Sequence, residues 1–262
     1  LKKTQRNLGK KVVPTESKVN AEISYNKMDV FGKVSKYYGL LGGIMLLVFF
    51  IRLFIRSSEG IEKIFIWIKR VLVALIVITF VYHGFGIGMR WYITGHAPWS
   101  NGYEAVVFIA WITMIAGLAF SRKNSAVLAG TAILAMFMLF VTNMNLLDPE
   151  ITPLVPVLKS YWLMIHVAII TGSYGFLGLA SILGLLNLVL YIFRTKSNGE
   201  RITMNISELT YVSEMTMIIG LFMLTIGTFL GGIWANESWG RYWGWDPKET
   251  WALVSVLVYV VI

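Results

Sequence analysis

Residues 161–193 read YWLMIHVAIITGSYGFLGLASILGLLNLVLYIF, a run of 33 residues that contains no Asp, Glu, Lys or Arg. About 20 consecutive apolar residues are enough to cross the hydrocarbon core of a bilayer as a helix. This run is longer than a simple span, so we expect its helix to tilt, kink or protrude into the water. Gly172, Gly175 and Gly178 recur every three residues within it, which favours close helix packing or a bend.

Six further apolar runs accompany this one, and together they predict an all-α fold: a polytopic transmembrane bundle of about seven helices. The predicted helices cover residues 38–55, 71–89, 103–120, 126–147, 161–193, 215–235 and 251–262. The seventh is too short to cross a bilayer, so we expect a truncated helix and read the chain as one piece of a longer or fused polypeptide. Hydrophobic residues make up 56% and charged residues 14% of the chain, which excludes a soluble globule.

The amino-terminal segment is basic and polar, with nine Lys or Arg and three acids over residues 1–36. Such an arm could bind nucleic acid or anionic lipid, but it has few aromatics and no recognised nucleic-acid motif. We therefore predict an external linker over residues 1–36, a membrane domain over residues 37–262 and no nucleic-acid partner.

The orientation follows from basic residues in three alternating loops. They precede the second, fourth and sixth predicted helices: Arg56, Lys63, Lys69 and Arg70; Arg122 and Lys123; Arg194, Lys196 and Arg201. By the positive-inside rule these loops are cytoplasmic, and loops 90–102, 148–160 and 236–250 face outward. The amino terminus then lies outside despite its basic arm, as the rule allows for long or domain-linked segments.

The third outer loop is unusually rich in tryptophan. Residues 239–251 read WGRYWGWDPKETW, and five of the ten tryptophans fall within residues 234–251, here called the tryptophan loop. Interfacial anchoring explains one or two of them. The others, interleaved with glycines, favour a surface for a planar, apolar, partly charged ligand. Residues 246–249 also have a structural interpretation, as a capping box that opens the seventh helix, and both roles are compatible.

A metal-bearing cofactor would need imidazole here, because the chain has no cysteine for thiolate ligation, disulfides or thiol catalysis. His166 lies about one and a half turns into the fifth helix, where an apolar-flanked histidine suits axial ligation of haem iron. A packed histidine with one hydrogen bond is the alternative. For His83 a packing or helix-terminal role is expected, and for His96 a role in a turn.

Three stretches resemble haem-handling proteins of cytochrome c maturation. Residues 239–251 resemble their tryptophan-rich "WWD" signature. Residues 90–104, RWYITGHAPWSNGYE, are similar to the first outer loop of the system II CcsA (ResC-like) family. Residues 160–167, SYWLMIHV, are similar to that family's segment with the first external haem-ligand histidine, which His166 matches. The resemblance covers residues 38–262.

The resemblance implies a membrane protein that moves haem b outward and presents it at an external WWD loop. The Lys-rich amino-terminal arm favours a bacterial inner membrane over a thylakoid membrane. With a CcsB (ResB-like) part, to which we expect it to be fused as CcsBA, it would act as a holocytochrome c synthase on the Cys-x-x-Cys-His motif of apocytochrome c. The second external and the intramembrane ligand histidines of the family are not assigned in this chain. The implied haem-binding residues are His166, as axial iron ligand, and Trp239, Gly240, Trp243, Trp245, Asp246, Pro247, Glu249 and Trp251.

Three alternatives stay open at this point. A system I WWD protein would deliver haem to a chaperone, although the first outer loop favours system II. A transporter would use the tryptophans as an interfacial gate for another amphipathic solute. A membrane subunit could also only scaffold its partners.

The predicted orientation is testable because the chain offers no competing thiol. Glu237→Cys, in the tryptophan loop, should react with a membrane-impermeant maleimide added to intact cells. Lys63→Cys, in the first basic loop, should react only after permeabilisation. The opposite pattern would overturn the orientation.

Overall fold

The computed structural model describes residues 9, 13–55, 58–122, 124–144, 146–151, 159–195 and 198–262. Within these ranges every regular element is a helix, so the predicted all-α fold is confirmed. The helices are α1 (Glu16–Met28), α2 (Val30–Phe54), α3 (Glu59–Thr94), α4 (Gly102–Phe120), α5 (Ser125–Thr142), α6 (Tyr161–Ile192), α7 (Gly199–Trp239) and α8 (Pro247–Val261).

All seven predicted helices are present, and most are longer than their apolar runs. The second, predicted over 71–89, is the 36-residue α3, and the sixth, predicted over 215–235, is the 41-residue α7. Hydropathy marks only the part of a helix that suits hydrocarbon, whereas backbone hydrogen bonding continues into the polar ends. The fourth is shorter than predicted, because α5 ends at Thr142 and Asn143 caps it.

The amino-terminal segment contains a helix that the apolar pattern does not reveal. α1 is mostly polar and is separated from α2 only by Asp29, whose φ of 43° is left-handed. Residues 1–8 and 10–12 of the predicted linker lie outside the described ranges, as do Arg56, Lys123 and Lys196 of the basic loops.

Six helical stretches of the described chain are long and apolar enough to cross a membrane. The joined α1–α2 stretch forms one of them, and α3 to α7 form the other five. This is the architecture of a multi-span membrane protein. At 15 residues, α8 is too short to span, as predicted for the seventh helix.

Glycines bring the central helices into backbone contact. A Cβ on Gly220 of α7 would lie 2.8 Å from Leu177 of α6, and one on Gly227 would lie 3.0 Å from Ile170. A Cβ on Gly175 of α6 would lie 3.1 Å from the backbone nitrogen of Thr113 in α4. Close packing at the predicted glycine repeat is therefore confirmed, and α6 runs through it as one unbroken helix. Small residues allow this approach, which drives helix association in lipid.

A buried ion pair holds the first outer loop together. The Arg90 side chain, at the end of α3, is 2% exposed and donates from Nε to Glu104 Oε1 at 2.7 Å. Its Nη1 donates to the carbonyl of Pro149 at 2.9 Å, and the guanidinium lies over the ring of Tyr103. The second Glu104 oxygen accepts from the backbone N–H of Ser100 at 2.8 Å. One cation thus joins α3, α4 and the segment that follows α5.

Breaking this pair should strongly destabilise the bundle. Glu104→Met leaves the Arg90 charge buried without its carboxylate, which costs about 3–5 kcal/mol. Arg90→Met combined with Glu104→Met should recover much of that loss, because no uncompensated charge remains. The measurement is the free energy of unfolding in mixed micelles.

Lys63→Met is the control, because the Lys63–Glu59 pair is solvent-exposed. Such exposed pairs contribute less than about 1 kcal/mol. A Glu104→Met variant as stable as this control would show that the buried pair does not hold the loop.

Candidate functional site

A cavity of about 420 Å³ lies where the tryptophan loop meets α6 and α7. This volume is typical of small-molecule sites. α6 contributes His166 and Ile170, and α7 contributes Gly231, Trp234 and Trp239. The remaining wall comes from the segment that enters α8, with Trp243, Asp246 and Glu249. Indole and imidazole rings therefore surround a space bounded by two helices and one loop.

His166 lies in the second turn of α6, as predicted, and its ring is fixed by α7. Its Nδ1 lies 2.7 Å from the carbonyl oxygen of Gly227. A carbonyl can only accept, so Nδ1 carries the hydrogen and Nε2 keeps its lone pair. A hydrogen bond from the nitrogen that does not bind the metal is what orients histidines in metal sites. Nε2 is thus the nitrogen available to a ligand.

Two adjacent glycines of α7 shape the cavity on both sides. A Cβ on Gly231 would lie 2.7 Å from Cε1 of His166, so any side chain there would displace the imidazole. A Cβ on Gly232 would lie 3.1 Å from the carbonyl oxygen of Tyr242. The histidine and the loop therefore rest on neighbouring residues of the same helix.

The non-helical part of the tryptophan loop is short, because α7 extends to Trp239 and α8 begins at Pro247. Gly240 ends α7 with a φ of 72°, a conformation that glycine adopts without steric cost. Glu249 then organises the rest. Its carboxylate accepts from the backbone N–H of Gly244 at 2.7 Å and of Asp246 at 3.4 Å. Asp246 accepts in return from the N–H of Glu249, so the predicted capping box is confirmed.

The tryptophans divide into inward and outward groups. The indole nitrogens of Trp234 and Trp243 are buried, and neither has a hydrogen-bond partner among the described residues. Buried polar groups are normally satisfied, so two unpaired indole N–H groups among the residues of one cavity wall are an unusual feature of this site. Trp245 and Trp251 are instead about 70% and 69% exposed.

The structure brings six of the nine predicted site residues to the cavity wall: His166, Trp239, Trp243, Asp246, Pro247 and Glu249. Gly240, Trp245 and Trp251 are not part of that wall; Gly240 ends α7, and the other two face outward. Gly231 and Gly232 were not among the predicted site residues. Their adjacency, four residues beyond Gly227, is the signal that could have indicated them.

Three basic residues of the outer loops, Arg90, Arg241 and Lys248, have different surroundings. Lys248 lines the cavity. Arg241 folds over Gly244, whose Cβ would lie 2.9 Å from the guanidinium carbon. Arg90 is fully engaged in the buried ion pair and does not reach the cavity.

The first outer loop touches the helix that carries His166. Trp99 Nε1 donates to the carbonyl of Met164 at 3.1 Å, two residues before His166. Within the loop, His96 Nδ1 lies 3.1 Å from the hydroxyl of Ser100, as expected for a histidine in a turn. His83 is buried beside Tyr38 and Phe31, as expected for a packed histidine.

These residues fit a haem molecule chemically. Haem presents an iron that takes a nitrogen donor, a flat apolar ring and carboxylates. His166 would supply the nitrogen, the indoles would supply apolar planes and Lys248 would supply a cation. Among the described residues no group of three or more His, Asp or Glu side chains could hold a bare metal ion.

Comparison with known proteins identifies relatives of one kind. A family model described as "Cytochrome C assembly protein" matches residues 99–262. Protein NrfI of Wolinella succinogenes is 42% identical over 97% of this chain, which spans 28% of that protein. The cytochrome c biogenesis protein CcsA of Guillardia theta is 35% identical over 72% of the chain and 68% of its own length. CcsA of Pyropia yezoensis is 30% identical over 92% and 85%, respectively.

The role of Glu249 in shaping the loop is open to a direct test. Glu249→Ala removes the acceptor of the Gly244 and Asp246 amides, so their hydrogen exchange should accelerate roughly tenfold or more, given about 1.5–3 kcal/mol for hydrogen bonds to a charged group. Glu237→Ala, which removes a nearby exposed carboxylate, is the control and should leave both amides unchanged. Equal exchange in the two variants would refute the assignment.

Proposed function

Because this chain belongs to the cytochrome c assembly protein family and is of the CcsA type, we propose that it moves haem b outward across the membrane and presents it at the tryptophan loop. There it supports covalent attachment of haem to the Cys-x-x-Cys-His motif of apocytochrome c. The observation that carries the proposal is the position of His166, whose Nδ1 is held by Gly227 while its ring lines a cavity walled by tryptophans.

His166 Nε2 is the proposed axial ligand of the haem iron. The Gly227 carbonyl raises the basicity of the ring and fixes its orientation, as partners of ligand histidines do. Trp243 and Trp239 provide apolar contact for the macrocycle. Lys248 is placed to pair with a propionate, a charge-assisted contact that would orient the ring.

The attachment reaction is an addition in which a thiol of apocytochrome c adds across the double bond of a haem vinyl group. A sulfur–carbon bond forms, the vinyl double bond becomes single, and the thiol hydrogen goes to the other vinyl carbon. Both thiols come from apocytochrome c, which agrees with a chain that has no cysteine. The contribution of this chain is to hold the vinyl groups near the thiols, which makes a bimolecular reaction effectively unimolecular.

We further propose that the tryptophan loop faces the periplasm of a bacterial inner membrane, on the basis of the basic loops at the opposite end. Residues 1–36 would then be an external linker that contains α1 and the beginning of α2, and residues 37–262 would be the haem-handling domain. A CcsB-type part is the proposed companion for synthase activity.

A transporter of another amphipathic solute is an alternative, because an indole-lined cavity would suit such a solute as well. It needs neither iron nor His166. The CcsA relatives favour a system II protein over the system I alternative.

His166→Gly should weaken the Soret band of the purified full-length protein and stop cytochrome c assembly in cells. Added imidazole should restore both in part, by filling the coordination position that the side chain has left. His96→Gly removes a loop histidine outside the cavity and is the matched control; its Soret band should be retained.

Three outcomes would contradict the proposal. Normal haem spectra in His166→Gly would remove this residue from the site. A loss of protein abundance that imidazole does not repair would assign it to packing. Absence of a Soret band in the wild-type protein would favour the transporter.

A further inference from the structure

A second, polar cavity of about 300 Å³ lies at the end of the bundle opposite the tryptophan loop. It forms where the end of α2 meets the beginnings of α3, α5 and α7. Its wall includes three cations, Arg52, Lys69 and Arg201, and two acids, Glu62 and Glu208. Nothing in the proposed chemistry of the tryptophan loop uses these residues.

The acids of this cavity are already engaged. Glu62 accepts from Arg52 Nη2 at 2.9 Å, and Glu208 accepts from the side-chain amide of Asn124 at 3.0 Å. Asn124 is itself buried and starts α5, so Glu208 is held against a fixed part of the fold. The Arg52 contact offsets the charge of Glu62, whereas the amide of Asn124 is neutral and leaves the charge of Glu208 in the cavity.

Two of the cations keep unused donors. Lys69 forms no hydrogen bond or ion pair with any described residue, and its half-buried ammonium is repelled by Arg52 and attracted by Glu208. Arg201 donates from Nη1 to the carbonyl of Ile55 at 3.0 Å, and no other hydrogen bond of its guanidinium is formed within the described ranges. Lys69 and Arg201 together outnumber the carboxylate of Glu208, and converging cationic donors with an excess of positive charge favour an anion.

The cavity is apolar on its other side. Phe49 and Leu53 are buried at its floor, and the exposed Met204 lies at its edge. All three belong to helices that qualify as membrane spans. The cavity therefore offers cations and hydrocarbon together at the end of the bundle, where basic pockets between transmembrane helices bind anionic head groups.

We propose that this cavity binds the oxyanion head of an amphipathic molecule at the membrane surface, with Lys69 and Arg201 on the oxygens and Leu53 and Met204 against its apolar body. The shared chemistry is a phosphate or a carboxylate on a hydrophobic scaffold. An anionic phospholipid supplies the first. Haem supplies the second, in which case the cavity is an entry site and this source rests on the proposed function.

The test uses the full chain in nanodiscs and two charge-matched double variants. Lys69→Gln with Arg201→Gln removes the two cations of the cavity. Lys63→Gln with Arg70→Gln removes two exposed cations of the same region that do not line the cavity, so both variants change the net charge equally. Lys69→Arg keeps the charge and should retain binding.

Two probes distinguish the sources. Metal-free protoporphyrin, a fluorescent dicarboxylate that needs no axial ligand, is titrated into phosphatidylcholine nanodiscs and followed by anisotropy. Retention of phosphatidylglycerol is measured by native mass spectrometry of protein from mixed-lipid nanodiscs. We expect at least one probe to bind roughly tenfold more weakly to Lys69→Gln/Arg201→Gln than to the control variant, as expected for lost charge-assisted hydrogen bonds. Porphyrin bound at the tryptophan loop contributes equally to the signal of the two double variants, so it does not affect the comparison between them.

A selective loss of protoporphyrin assigns the cavity to a dicarboxylate, a selective loss of phosphatidylglycerol assigns it to lipid, and loss of both supports the shared chemistry. Equal binding of both probes by the two double variants overturns the proposal, whether binding is retained or lost in both. None of these outcomes changes the interpretation of His166→Gly, because that experiment reads the iron ligand at the other end.

Discussion

The structure depends on how closely α6 and α7 approach each other. Lipid is as apolar as the helices themselves, so burial of leucine gives no reason for two membrane helices to associate, and packing of small residues decides the pair. Gly220 and Gly227 of α7 admit Leu177 and Ile170 of α6 at distances that exclude a further carbon atom. The same approach brings a backbone carbonyl within 2.7 Å of His166. The histidine is oriented by helix packing, before any ligand is considered.

A second level of organisation fixes the outer ends of the helices. The Arg90–Glu104 ion pair joins α3 to α4. Trp99, between these two helices, donates a hydrogen bond to the beginning of α6. This explains a first outer loop with so many polar residues that never reach the cavity. Its arginine and glutamate hold the loop, and its tryptophan touches the helix that bears the histidine. In a sequence, such a group of polar and aromatic residues is easily interpreted as a binding site, although here its side chains bind one another.

The sequence predicts the helices well, because apolar runs of sufficient length have one structural outcome in a membrane. It also predicts the capping box, since Asp246, Pro247 and Glu249 act within one turn. Two kinds of feature escape it. α1 carries no apolar run and is recognised only in the structure. Trp243 lines the cavity and Trp245 is exposed, a difference that accompanies the positive φ of Trp245. The need for glycine at position 231 comes from His166, which is 65 residues away in the chain.

Trp245 has a positive φ of 56°, a conformation that costs a residue with a side chain about 1–2 kcal/mol. The hydrogen bonds from Gly244 and Asp246 to Glu249 hold the peptide units on either side of it. As a result, the loop turns one indole toward the cavity and the next toward the outside. A polypeptide that docks on the outer indole therefore presses on the same short backbone that positions the inner one. A polypeptide bound at Trp245 and a ligand bound at Trp243 would therefore affect each other through this backbone, without movement of a helix.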